Sequence, residues 1–88
     1  MTQNIIHQII SYIKTQSTQN DVMVVPVREK SIEYTLLCFG YRSVNVDIFV
    51  YNPTFISIKL NSVPYAFCDN IHTVRLEIDK LYSTYYYA

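Results

Sequence analysis

Eighty-eight residues carry seven Lys plus Arg against seven Asp plus Glu, leaving the chain without net charge. Neutrality speaks against nucleic acid or an anionic membrane as an electrostatic partner, and it also removes the self-repulsion that opposes association. Half of the residues are apolar, with nine Tyr and four Phe, a composition that excludes intrinsic disorder; the single glycine, Gly40, excludes a glycine-rich phosphate cradle.

One small domain, residues 1–88, is expected. The first residues lack the basic stretch of a secretion signal, and His7 and Gln8 interrupt the apolar ones. No apolar run approaches the length of a membrane span. Cys38 and Cys68 are therefore expected as reduced thiols of a cytoplasmic protein. Abundant Ile, Asn and Tyr beside scarce Gly, Arg and Trp fit an AT-rich coding sequence, such as that of a phage or mobile element.

Ile5, Ile6, Ile9, Ile10 and Ile13 make one stripe at helical spacing, which predicts a helix over about residues 3–16, capped by Thr2 or Asn4. Isoleucine is a mediocre helix former, so this helix depends on what it packs against. Val22–Val27 reads as a strand that Pro26 confines to a sheet edge or a bulge. Ile32–Phe39 is apolar on both faces after Glu33, as in an interior strand. Gly40–Ser43 is expected to turn the chain.

Val44, Val46, Ile48 and Val50 then alternate with Asn45, Asp47, Phe49 and Tyr51, the clearest strand pattern in the sequence. Asn52 and Pro53 mark a turn, and Ile56, Ile58 and Leu60 form the inward set of the next strand. Setting Val50 opposite Ile56 and Ile48 opposite Ile58 pairs Asp47 with Lys59 and Tyr51 with Phe55. A one-residue slip would lose both pairs. Val63–Cys68, interrupted by Pro64, is either a fifth strand or a loop. Asp69 or Asn70 caps a second helix whose stripe is Ile71, Val74, Ile78, Leu81, Tyr82 and Tyr85, with Arg75 and Asp79 as a surface pair. The expected fold class is α+β, in the order α-β-β-β-β-α. A four- or five-stranded antiparallel meander is flanked by terminal helices that cover one sheet face.

Little in this pattern carries chemistry. His7 and His72 fall on the polar sides of their helices, and two His and two Cys from distant segments lack the paired spacing of a metal site. Cys38, on an interior strand, reads as a small core residue. Cys68 at a helix start with His72 four residues on is the best nucleophile candidate. However, Asp69 opposes a thiolate there and no glycine turn offers an oxyanion hole. A buried thiol is the simpler reading. Catalytic residues, cofactors and metals are therefore not expected.

What remains is surface. With the aliphatics under the helices, Leu37 or Phe39 joins Phe49, Tyr51 and Phe55 on the opposite sheet face. Leu76 and Tyr87 add apolar area on the polar side of the second helix. Such a patch is either a protein contact or is buried by the second helix or by Val63–Cys68. The expectation is a non-catalytic protein-binding domain acting through Phe49, Tyr51, Phe55, Leu76 and Tyr87, on another protein or as a homodimer. By analogy of size and composition, this suits a phage-type inhibitor of a host system. The alternative is a nucleic-acid-binding accessory domain that stacks bases on Phe49, Tyr51 and Phe55, although the basic residues are scattered.

Overall fold

The computed structural model describes residues 2–16 and 21–86. Helix α1 (Thr2–Gln16) is followed by strands β1 (Met23–Glu29), β2 (Ile32–Tyr41), β3 (Val44–Asn52), β4 (Phe55–Leu60) and β5 (Val63–Cys68), then by helix α2 (Ile71–Tyr86). The five strands form one sheet in the order β1-β2-β3-β4-β5, with every pair antiparallel. The segment from Val63 to Cys68 is thus a strand. Pro64 is tolerated because β5 is an edge, as Pro26 is on the opposite edge strand β1.

The register explains the two faces. Ile48 stands opposite Leu37 on β2 and Ile58 on β4, and Val50 opposite Thr35 and Ile56. Val46 stands opposite Phe39 and Leu60. These aliphatics, with Cys68 from β5, are buried beneath Ile5, Ile6, Ile9 and Ile13 of α1 and Val74, Ile78, Leu81 and Tyr82 of α2. The predicted Tyr85 has a side chain outside those described. α2 starts beside β5 and its later turns reach the end of β2, where the Tyr82 ring meets Tyr41 edge-on at 4.2 Å. The helices also pack on each other: the Tyr12 hydroxyl donates to the Asp79 carboxylate, and the Arg75 guanidinium lies over the Tyr12 ring at 5.6 Å. Arg75 and Asp79, expected as a surface pair of their own, both engage α1.

Of the two candidate caps for α2, Asn70 acts. Its side-chain oxygen accepts from the Thr73 amide at 2.8 Å and its carbonyl accepts from the Val74 amide at 3.3 Å, while Asp69 accepts from the Asn70 side chain. Replacing Asn70 with Ala should destabilise the protein by about 1 kcal/mol in urea titration.

The turns differ from expectation in one instructive way. Gly40 is an extended strand residue, and the chain reverses at Arg42 and Ser43, both at positive φ (51° and 74°). Asn61 and Ser62 repeat this geometry between β4 and β5 (50° and 67°). Positive φ at both central residues is the hairpin turn whose twist matches the strands, made here without the usual glycine. Asn61 adds a tie across strands, since its amide donates to the Asn45 carbonyl and its side chain accepts from the Asn45 amide at 2.9 Å. A Ser62→Gly change, which relieves a left-handed residue next to Asn61, should raise stability by about 0.5–1 kcal/mol in the same titration.

Candidate binding surface

Side chains alternate across a strand, so the β2 residues between those in the core point away from the helices. They are Tyr34, Leu36 and Cys38. Leu37 and Phe39, one or the other of which was expected on the open face, are both buried core residues. The register sets the open face in three rows. The first runs from Val27 and Tyr34 to Tyr51 and Phe55. The second runs Val25, Leu36, Phe49, Ser57, Phe67 across all five strands. The third runs Met23, Cys38, Asp47, Lys59, Pro64.

Five rings form a chain over this face. Tyr34 lies 5.8 Å from Phe49 and 5.0 Å from Tyr51, Tyr51 lies 5.0 Å from Phe55, and Phe55 lies 6.3 Å from Phe67. All are tilted or edge-to-face, the arrangements that ring quadrupoles favour. The Lys59 ammonium sits 5.1 Å over Phe49, so its stem covers apolar surface while its charge meets the negative ring face. Tyr51 and Phe55 were expected as direct cross-strand partners. The register instead shifts after Val50 and puts Asn52 opposite Phe55. Tyr51 is thereby the extra residue of a bulge and reaches the Phe55 ring from the side.

Among the described residues no element lies over this face. α2 is on the other side of the sheet, and β5 extends the sheet instead of crossing it. Tyr34, Leu36, Phe49 and Tyr51 shelter one another and are half-buried, whereas Phe55 is 51% and Phe67 74% exposed. Met23 and Ile32 extend the exposed apolar area toward β1.

Leu76 is exposed on α2, outside the core cluster and away from these rings, so the structure separates it from Phe49, Tyr51 and Phe55. Tyr87 lies outside the described residues. Tyr34 and Phe67 were not anticipated on the face. Accepting β5 as a strand would have exposed Phe67 through its alternation with Ala66 and Cys68.

The thiols are poorly placed for chemistry. Burial, reinforced by the charges of Glu77 and Asp69, pushes Cys68 up to about 11, while His72 is solvent-exposed. Cys38 is not a core residue; it stands half-buried on the open face. Burial and a hydrogen bond with Asp47 push it up to about 11 as well. Both thiols should react slowly with iodoacetamide at neutral pH relative to an unperturbed cysteine. A thiol with a raised folded pKa contributes full stability below the unfolded value and loses it as pH climbs through the folded one. Stability should therefore fall between pH 9 and 11. Cys68 accounts for up to about 1.4 kcal/mol per pH unit of that loss, and Cys68→Ala should flatten the urea-midpoint profile there.

Among the described residues no three His, Cys, Asp or Glu side chains gather as a metal site, and no helix is long and apolar enough to cross a membrane. Comparison with known proteins finds no matching family model, no matching curated relative and no matching solved structure.

Proposed function

We propose that this chain is a small, non-catalytic protein-binding domain whose contact surface is the helix-free face of its sheet. The supporting observation is the uninterrupted chain of Tyr34, Phe49, Tyr51, Phe55 and Phe67 rings on a face that no described element covers. Single exposed apolar residues are ordinary, but contiguous Tyr and Phe surface is characteristic of protein contacts. Pro26 and Pro64 blunt both sheet edges, which favours contact through the face over strand addition. The base-stacking alternative needs cations along the rings, and Lys59 is the only one on the three rows. The inhibitor expectation stays with size and composition; the fold adds no residue to it.

The test is photo-crosslinking in the cells that make the protein. A benzophenone amino acid at Phe67 should yield a protein adduct that the same group at Leu76 does not. No adduct at Phe67 would sink the reading.

A further inference from the structure

We infer that the partner of the aromatic face is a second copy of this chain, docked face to face about a twofold axis. The inference rests on the protein-binding reading above and names its partner.

Size is the first argument. Five strands at about 4.8 Å spacing, with three rows about 6.8 Å apart, give a footprint on the order of 500 Å². Two such faces together remove on the order of 1,000 Å² from solvent, roughly the threshold for a specific interface. A smaller partner would leave rings uncovered at both ends of the chain that runs from Phe49 to Phe67.

Charge is the second. The two apolar rows carry no charged residue, and the third sets Asp47 directly opposite Lys59. Glu29 at the β1–β2 corner is followed by Lys30. A face whose charges cancel locally selects against neither sign and repels no copy of itself, and the whole chain is likewise neutral. A charged partner would find no complementary field there.

Geometry is the third. Twofold contacts use the same patch on both subunits, so the patch must tolerate its own image. Aromatic rows laid on aromatic rows do so, with Tyr hydroxyls at the seam. Two twisted sheets stack about 10 Å apart at roughly 30°. The resulting assembly is a two-sheet sandwich with both helix pairs outside. Blunted edges at Pro26 and Pro64 end the association at two copies instead of extending it sideways.

Sedimentation equilibrium on the purified protein decides the matter. The wild type should run at twice the 10.4 kDa chain mass. The Phe55→Asp, Phe67→Asp double variant, with its helices intact by circular dichroism, should dissociate at least about a hundredfold more readily, since each charge enters a twofold interface twice. Leu76→Asp should remain dimeric. Mixed-isotope NMR on the wild type should show contacts between copies among Tyr34, Phe49, Tyr51, Phe55 and Phe67, an arm that needs no variant to fold. A wild type that stays monomeric at about 100 μM overturns the dimer. The protein-binding reading then survives only if the Phe67 crosslink captures a different protein. A dimer indifferent to the double substitution, or showing no such contacts between copies, overturns its placement on this face.

Discussion

Ile9→Asp is expected to unfold the protein at room temperature. Ile9 is fully buried in α1, within the cluster where α1, α2 and the sheet meet. The substitution deletes the aliphatic contact and places a carboxylate in apolar surroundings, and an unpaired buried charge alone costs about 3–5 kcal/mol. A domain of this size has little beyond about 5 kcal/mol in total. Far-UV circular dichroism should lose its helical signal and cooperative urea melting should vanish. Leu76→Asp makes the same chemical change on the exposed side of α2 and should move stability by no more than about 0.5 kcal/mol. A cooperatively folded Ile9→Asp variant would show that α1 is dispensable to the core.

Ile48→Ala is the second large effect. Ile48 lies at the middle of the central strand, fully buried, with Leu37 and Ile58 as its neighbours on either side. Strands fixed by hydrogen bonding on both flanks cannot collapse into the space left. The loss should fall toward the upper part of the about 2–5 kcal/mol range for such truncations. Ile48→Val should cost only about 0.5–1.5 kcal/mol. Urea unfolding should show midpoints shifted in that order with an unchanged slope, since the surface exposed on unfolding hardly changes.

Much of this architecture is readable in the sequence, and for identifiable reasons. The isoleucine stripe of α1 and the alternation of β3 are single-valued signals, because each buries one face and leaves the other polar or aromatic. The β3–β4 register followed from one charge pair and two aliphatic pairs, and Asp47 does stand opposite Lys59. Where the signal was two-valued, reading failed. β2 is apolar on both sides, so its sequence does not say whether Leu36 or Leu37 faces the helices; only the pairing of Leu37 with Ile48 decides it. Cys38 was assigned to the core for the same reason. Pro64 obscured β5, because its missing donor is harmless only at an edge, and edges are a property of the whole sheet. The bulge at Tyr51 and the glycine-free reversals at Arg42–Ser43 and Asn61–Ser62 follow backbone geometry that composition does not announce.

Every strand of the sheet pairs with its immediate neighbour in sequence, yet the two helices that complete the core come from opposite ends of the chain. The Tyr12–Asp79 contact spans 67 residues. During synthesis the hairpins can close one after another as they leave the ribosome, each over a short loop. α1 is made before the sheet, but part of its packing surface, α2, is made only after the sheet. Until α2 arrives, the isoleucine stripe has only the sheet to lean on, so α1, though made before the strands, reaches its final stability after they have paired.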